Sequence, residues 1–149
     1  MKLTLLRHGE AQPMGSCTMD ADQKRPLTAR GRLDISETFS SLSFSGEPLE
    51  IWASPFLRTR QTAEIVKRYL RAPVKIAEYL TVTNSSYLMR ALQTMPATVH
   101  VVVVTHEPFI GDMVNRLTGE RPYVHTGDFF TIALDEDLID GELVAWRRR

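Results

Sequence analysis

Short apolar runs alternate along the chain with longer segments in which apolar residues recur at helical spacing. The two strongest runs are residues 3–6 and 99–105, the second being a β-branched stretch interrupted by His100. A run of this kind is typical of a central strand that is covered on both faces. With the weaker runs included, the pattern predicts six strands, at residues 3–6, 49–53, 74–77, 99–105, 131–134 and 142–146.

Four helices are predicted between these strands, from their apolar spacing and their end signals. They span residues 28–42, 56–70, 85–95 and 108–119. Thr28 is the predicted N-cap of the first helix. The apolar positions of that helix are Leu33, Ile35, Phe39 and Leu42. Residues 10–26 are polar and contain Pro, Gly and Ser, so they predict a long loop, and long loops in compact domains are often functional.

The order of these elements predicts the fold class. Strands that alternate with helices favour a mostly parallel sheet in a three-layer α/β/α fold. The last two strands are joined by an acidic turn at residues 135–141, which predicts an antiparallel hairpin at the edge of the sheet. At 149 residues the chain is expected to form one domain, residues 1–149, and a domain of this length buries about two thirds of its unfolded surface.

The composition is that of an ordinary globular protein, with 43% apolar and 24% charged residues. Basic and acidic residues both number 18, so the net charge is zero and gives no reason to expect nucleic-acid or membrane binding. Cys17 is the only cysteine, which excludes an intrachain disulfide and a cysteine metal cluster. Because no apolar stretch reaches membrane-spanning length, the sequence predicts a cytoplasmic protein.

Suspicious residues collect where three predicted strands pass into helices. These junctions are residues 7–10, 54–64 and 105–108, and in a parallel sheet they share one edge. An arginine beside a histidine at the first junction suits a phosphoryl group, since the guanidinium binds oxygens and the imidazole can attack phosphorus. Arg58 lies in the first turn of its helix, where anions are favoured, and a bound phosphate would account for a cation there.

Together these motifs resemble the histidine phosphatase superfamily, which includes phosphoglycerate mutases and many phosphatases. Leu6-Arg7-His8-Gly9-Glu10 matches its signature. The segments at 25–31 and 53–64 are similar to its Leu-Thr-x-x-Gly and Ser-Pro-x-x-Arg-x-x-Gln-Thr-Ala segments, and His106 matches its second histidine. The matches follow the family order and extend from residue 3 to about residue 110. The resemblance implies a phosphoglycerate mutase-like fold.

Within the superfamily, the chain most resembles the short SixA-type phosphohistidine phosphatases, which lack the long helical insertion of mutases and larger acid phosphatases. The segment at residues 78–86 leaves no room for such a lid. The resemblance therefore implies an open, shallow site that suits a phosphoryl group carried by a protein, together with phosphate or other oxyanions in the pocket.

The resemblance also implies roles for individual residues. His8 is the nucleophile that becomes transiently phosphorylated, and neighbouring arginines disfavour its protonation and lower its pKa. Arg7 and Arg58 bind the phosphoryl oxygens, and His106 donates a hydrogen bond or positive charge to the same oxygens. Glu10 is a substrate-binding candidate that closes the pocket or orients His8, and a role in stabilising the turn is an equal alternative. No metal and no cofactor are expected.

The general acid is the least defined part of this site. Glu78 follows the third strand in about the right region, although a solvated loop carboxylate is the simpler interpretation. Glu107 contacts the substrate or, equally, caps the fourth helix. A missing acid costs about 10²–10⁴-fold on esters with poor leaving groups. The cost is smaller for a phosphoramidate because imidazole leaves readily, so the pattern favours phosphohistidine.

Three functional hypotheses follow. The first is a metal-independent phosphatase that removes phosphate from a histidine-phosphorylated protein, such as a phosphotransfer domain or a phosphocarrier. The second is a phosphomonoesterase or mutase that acts on a small metabolite. The third is a non-catalytic phosphate-binding module, which ranks last because the four pocket residues are all present.

Other polar residues are expected to have no catalytic role. His100 is expected to be structural or partly exposed, and His125 to lie in a surface loop. The C-terminal Arg147-Arg148-Arg149 segment is expected to be solvated.

Overall fold

A single six-stranded sheet forms the centre of the computed structural model, which describes residues 1–15, 17–44 and 47–147. The strands are β1 (Lys2–Arg7), β2 (Leu49–Ala53), β3 (Val74–Ile76), β4 (His100–Thr105), β5 (Phe129–Leu134) and β6 (Gly141–Arg147). Their order is β3-β2-β4-β1-β5-β6, in which the first four are parallel and the last two antiparallel. The predicted mostly parallel sheet with an antiparallel edge hairpin is confirmed.

Helices cover both faces of this sheet. They are α1 (Met19–Gln23), α2 (Ala29–Ser40), α3 (Leu57–Leu70), α4 (Ser86–Gln93) and α5 (Phe109–Thr118), with a short 3-10 helix at Glu78–Thr81. The four predicted helices are present, with ends that differ by up to two residues. None of the described helices combines the length and the apolar character that a membrane crossing requires.

The two faces of the sheet carry separate apolar cores. On one face α2 and α3 pack over Leu6, Ile51 and Val104. On the other face α4 and α5 pack over Leu5 and Val103. Because side chains alternate between the faces of a strand, the β-branched β4 supplies both cores and every one of its residues is buried. The three-layer arrangement predicted from the alternation of elements is confirmed.

A short helix interrupts the segment that was predicted to be a loop. Within residues 10–26, α1 begins after Thr18, whose hydroxyl accepts a hydrogen bond from the Ala21 N–H at 3.1 Å. None of the residues of α1 is buried. The helix therefore has no apolar stripe from which the sequence could have predicted it.

The two ends of the segment that contains α1 are fastened to each other. Ala11 and Leu27 form an isolated antiparallel bridge. The Thr28 N–H donates to the Glu10 carbonyl oxygen at 2.9 Å, and the Thr28 hydroxyl donates to the Glu10 carboxylate at 3.1 Å. The Thr28 hydroxyl also accepts the Gly31 N–H at 2.9 Å, as predicted for an N-cap. The segment thus leaves and rejoins the rest of the fold at one place, a narrow neck formed by residues 10–11 and 27–28.

One apolar position predicted for α2 is wrong. Leu33 is 59% exposed, whereas Ile35 and Phe39 are buried in the core. Two residues along a helix correspond to about 200° of rotation, so Leu33 and Ile35 lie on nearly opposite sides of α2.

The expectation of a solvated C-terminal segment is wrong for its first residue. Arg147 ends β6, and its guanidinium donates to Asp34 at 2.8 Å and also to the hydroxyl of Thr38, both on α2. These contacts tie the edge hairpin to the helix layer. Arg148 and Arg149 lie outside the described residues.

His100 has the structural setting expected from the sequence. It begins β4, at the end of the sheet opposite to the three junctions, and is buried. Its Nε2 lies 2.7 Å from the Thr4 hydroxyl, which is itself 2.7 Å from the Thr131 hydroxyl, and its Nδ1 lies 3.3 Å from Glu47. Burial lowers the pKa of His100, with the Glu47 carboxylate opposing the shift. These contacts satisfy polar groups on the sheet surface under the α2 side.

Candidate active site

The three suspicious junctions meet at one edge of the sheet. β2, β4 and β1 are neighbours and run parallel, so the chain leaves all three strands on the same side. His8 follows β1 and His106 follows β4, and their ring centroids are 5.5 Å apart. Arg58 lies in the first turn of α3, after β2, with its Nε 3.2 Å from Nε2 of His8. Residues that are distant in sequence therefore share one pocket.

The turn after β1 packs closely against α2 at a glycine. A Cβ at Gly9 would lie 3.0 Å from the carbonyl oxygen of Gly31 and 3.1 Å from Ile35, both on α2. The Gly9 N–H also donates to the Thr62 hydroxyl on α3, at 3.1 Å. The N-terminal halves of α2 and α3 thus hold the backbone beside His8 in place.

Hydrogen bonds fix which nitrogen of His8 carries the proton. Nδ1 lies 2.8 Å from the carbonyl oxygen of Gly9. A carbonyl oxygen only accepts hydrogen bonds, so Nδ1 is protonated and Nε2 carries the lone pair. Nε2 accepts a hydrogen bond from the Nε–H of Arg58. The unprotonated, nucleophilic nitrogen of His8 therefore faces the arginine.

Both histidines of the pocket are neutral at pH 7. Burial lowers the pKa of His8 to about 3, against the opposing effect of the Gly9 carbonyl. The charges of Arg58 and Arg7 reinforce this shift. The pKa of His106 is lowered to about 4, first by burial and then by the charge of Arg58. The imidazole of His8 is thus kept in the form that can attack phosphorus.

Arg58 is held by the polypeptide on two sides. Its Nη1 donates to the carbonyl oxygen of Asp22 at 2.8 Å, and its Nη2 lies 3.4 Å from the carboxylate of the same residue. The guanidinium carbon lies 4.9 Å from the ring centroid of Phe56, a cation–π distance. Because Arg58 is only 6% exposed, these contacts fix its orientation toward His8.

Two nitrogen atoms in the pocket lack a hydrogen-bond partner. Within the described ranges, three buried side-chain nitrogen or oxygen atoms are unpaired, namely Arg7 Nε, His106 Nδ1 and Asp128 Oδ1. The other end of Arg7 is anchored, since its Nη1 donates to the Val124 carbonyl oxygen at 2.8 Å. Because buried polar atoms are rarely left unpaired, the unpaired N–H of Arg7 suits a ligand that supplies an acceptor, and Nδ1 of His106 is available to hydrogen-bond the same ligand.

A chain of hydroxyl groups orients His106. Its Nε2 lies 2.7 Å from the Ser54 hydroxyl, which is 2.9 Å from the Thr59 hydroxyl. The Thr59 hydroxyl lies 2.8 Å from the carbonyl oxygens of both Ser54 and Phe56. Since Nε2 is engaged by Ser54, Nδ1 is the ring nitrogen left for a ligand.

Glu10 and Glu78 lie apart from these groups. The Glu10 side chain is exposed and accepts the hydroxyl of Thr28, the contact expected of a turn-stabilising residue. Glu78 is exposed and begins the 3-10 helix, where it lines a neighbouring groove with Met19 and Phe56. The structure therefore brings neither carboxylate into contact with His8.

A different carboxyl group lines a cavity beside Arg58 and His106. Glu107 lines a cavity of about 250 Å³ together with Asp22, Arg58 and His106. Its Oε1 accepts the Gly111 N–H at 2.7 Å, so it caps α5. Burial raises the pKa of Glu107, although the hydrogen bond from Gly111 opposes the shift. Both interpretations given for Glu107, substrate contact and helix cap, are compatible with this position.

Two residues of the site were not singled out from the sequence. Ser54 lies within the second junction, where its motif offered a signal. Asp22 contacts Arg58 across 36 positions, and no spacing pattern links the two. Within the described ranges, no three His, Cys, Asp or Glu side chains are grouped so that they could hold a metal ion.

The arrangement can bind and attack a phosphoryl group. The guanidinium of Arg58 contacts Nε2 of His8, the imidazole of His106 lies 5.5 Å away between ring centroids, and the Nε–H of Arg7 is a buried donor without a partner. Charged donors of this kind make the strongest hydrogen bonds to phosphate oxygens.

Comparison with solved structures finds proteins of the same fold. The protein histidine phosphatase SixA, complexed with tungstate, is 27% identical, with a TM-score of 0.74 over 98% of this chain and 96% of that chain. SixA from Agrobacterium tumefaciens is 18% identical, with a TM-score of 0.80 over 99% and 98%. The α-ribazole phosphatase from Shigella flexneri is 18% identical, with a TM-score of 0.67 over 97% and 96%. No curated protein sequence matches significantly.

The family model provides the decisive match. The model of the histidine phosphatase superfamily (branch 1) matches residues 3–84, more than half of the 149 residues. This range contains the turn after β1 and the helix that carries Arg58. The resemblance inferred from the motifs is confirmed, and the chain belongs to the histidine phosphatase superfamily.

Proposed function

We propose that the protein hydrolyses phosphohistidine on a signalling or phosphotransfer protein through a phosphorylated His8. The observation that carries this proposal is the unprotonated Nε2 of His8, 3.2 Å from Nε of Arg58. Similarity over 98% of the chain to SixA, a protein histidine phosphatase, supports phosphohistidine as the substrate class. The expected partner is a histidine-phosphorylated phosphotransfer domain or phosphocarrier.

The reaction takes place in two displacements at phosphorus. First, Nε2 of His8 attacks, and the electron pair of the substrate P–N bond passes to the departing imidazole. Water then attacks phospho-His8 and loses a proton, and the electron pair of the new P–N bond returns to Nε2. In both steps Arg7, Arg58 and His106 stabilise charge on the phosphoryl oxygens. Neither step calls for a cofactor.

An accessible site supports a protein-borne substrate. Between the 3-10 helix and α4 the chain has only residues 82–85, so no helical lid is inserted there. Met19 and Val82 flank the cavity with side chains that are 65% and 44% exposed. A histidine on the surface of a second protein can enter such a cavity while its surroundings contact these apolar side chains.

A comparison of substrates tests the proposal. We expect kcat/KM for a histidine-phosphorylated carrier protein to exceed that for an alkyl phosphate by at least about 100-fold, because a phosphoramidate depends little on a general acid whereas an alkoxide leaving group needs one. Phosphate release from both substrates would be measured at equal enzyme concentration. The carrier without enzyme gives the spontaneous rate. Faster turnover of the ester would contradict the proposal and indicate a metabolite phosphatase.

Phosphate ester hydrolysis is a second candidate function, which the position of Glu107 favours. This carboxyl group lines the cavity, and burial raises its pKa, so a larger fraction of it is protonated than at an exposed carboxyl group. A protonated carboxyl can deliver the proton that an alkoxide leaving group requires. Similarity to the α-ribazole phosphatase from Shigella flexneri is consistent with an ester substrate.

The variant Glu107→Gln tests this second function. We expect kcat on an alkyl phosphate to fall by about 10²-fold and kcat on p-nitrophenyl phosphate to change little, because only the alkoxide needs a proton. The wild-type rate on the alkyl phosphate should fall as pH rises through the pKa of Glu107, since the protonated form is active. The variant should lose this dependence.

Glutamine keeps an oxygen that can accept the Gly111 N–H, so the helix cap is preserved in this variant. Glu78→Gln, outside the cavity, is the matched control. Equal losses on both esters would show that Glu107 acts only as a cap.

A further inference from the structure

The carboxylate of Asp22 occupies an unusual position for a phosphate pocket. It lies 3.4 Å from Nη2 of Arg58, and the Nε of the same guanidinium lies 3.2 Å from Nε2 of His8. One guanidinium group thus separates the acid from the nucleophile. Asp22 also lines the cavity that contains His106. A phosphoryl group on His8 would therefore have a carboxylate as a neighbour.

Asp22 is ionised in this position. Burial opposes its ionisation, but the charge of Arg58 and the hydrogen bond from Arg25, at 3.0 Å, more than compensate and lower its pKa. The Asp22 side chain is 21% exposed, so a ligand in the cavity can contact its carboxylate. A fixed negative charge at this point repels substrates that carry further anionic groups near the phosphate.

The same charge attracts a protonated imidazole. A phosphorylated imidazole whose second nitrogen carries a proton is cationic on the ring and offers an N–H to an acceptor. When the P–N bond breaks, its electron pair returns to the ring nitrogen, the second nitrogen keeps its proton, and neutral imidazole leaves. A carboxylate that accepts that N–H stabilises the protonated ring and so favours departure.

We propose that Asp22 is a specificity-determining residue that accepts a hydrogen bond from the imidazole of the phosphohistidine substrate and selects this substrate over anionic phosphate esters. This inference rests on the proposed phosphohistidine phosphatase function. The residue lies on α1, a helix with no buried residues, so its position is set by its contacts with Arg58 and Arg25.

The test compares Asp22→Asn with Asp20→Asn. The amide keeps a side-chain oxygen as acceptor and leaves the backbone contact with Arg58 intact, but it removes the charge. Asp20 lies on the same helix, is exposed and pairs with Lys24, so it controls for a general change of charge on α1. Phosphoimidazole and p-nitrophenyl phosphate serve as substrates.

We expect Asp22→Asn to lower kcat on phosphoimidazole by about tenfold, because a neutral amide oxygen accepts a weaker hydrogen bond from the ring than a carboxylate does. The rate on p-nitrophenyl phosphate should be unchanged or higher. The pH at which kcat on phosphoimidazole falls to half should be lower in the variant, because the bound ring loses the carboxylate that favours its protonation. Asp20→Asn should behave as wild type.

A binding measurement separates this inference from the proposed function. Imidazole is titrated by NMR into enzyme saturated with inorganic phosphate, and its dissociation constant should rise by about tenfold in Asp22→Asn. If Asp22→Asn lowers kcat equally on both substrates and leaves the pH midpoint and the imidazole affinity unchanged, the inference is wrong. Asp22 then acts only by holding Arg58 in position. Absence of phosphoimidazole turnover in the wild type, with imidazole affinity still dependent on Asp22, would instead overturn the proposed function.

Discussion

His8→Ala is expected to lower kcat on a histidine-phosphorylated carrier by about 10⁴-fold or more, the scale found when an enzyme loses its nucleophile. The reason is that no other nitrogen in the pocket combines a lone pair with the position of Nε2. His106 directs its Nε2 to the Ser54 hydroxyl and is 5.5 Å away between ring centroids. Incubation with labelled carrier should give an acid-labile phosphoenzyme in the wild type and none in the variant.

His125→Ala is the matched control for this experiment, since it removes an exposed histidine. It should retain wild-type turnover and labelling. If His8→Ala is still labelled, another residue is the nucleophile. If His8→Ala loses turnover but the wild type forms no phosphoenzyme, water attacks the substrate directly.

Arg58→Lys is expected to lower kcat/KM by about 10²–10³-fold, as for the loss of one preorganised donor in other enzymes. Lysine keeps the positive charge but loses the planar set of donors that contacts His8 and Asp22 together. The inhibition constant for inorganic phosphate should rise in parallel, because the same donors bind the product. Steady-state kinetics with phosphate as an inhibitor measure both quantities.

Arg60→Lys provides the control, because Arg60 is exposed and lies two residues farther along α3. It should change neither constant. Unfolding in denaturant would show whether Arg58→Lys remains folded under the assay conditions. A folded Arg58→Lys enzyme with wild-type kinetics would mean that charge alone, and not the geometry of the guanidinium, stabilises the transferred phosphoryl group.

The sheet and the convergence of the pocket could be predicted because their determinants are local. β4 is a β-branched run whose burial on both faces follows from its composition. Arg7 ends a strand, His106 follows one and Arg58 lies in the first turn of a helix, so a parallel sheet brings all three to one edge without knowledge of side-chain contacts.

Features that depend on contacts between distant residues could not be predicted. Arg147 pairs with Asp34 across 113 positions, and Asp22 pairs with Arg58 across 36, and neither pair has a periodic signal. The raised pKa of Glu107 arises from burial, which is a property of the assembled fold. A motif specifies residue types at a junction, whereas solvation and ion pairing are decided only after the layers have packed.

The narrow neck that closes at Ala11 and Leu27 has a consequence for how this enzyme can diversify. The backbone contacts between Ala11 and Leu27 hold the two ends of the intervening segment together. The conformational entropy lost on closing a loop rises only slowly with its length, so a longer segment would destabilise the fold little. Insertions or exchanges in the segment between Ala11 and Leu27 should therefore replace Asp22 and leave His8 in place. Because the same segment also holds Arg58 through Asp22, a segment exchanged between relatives has to keep the backbone contact with Arg58 if it is to alter substrate preference without loss of turnover.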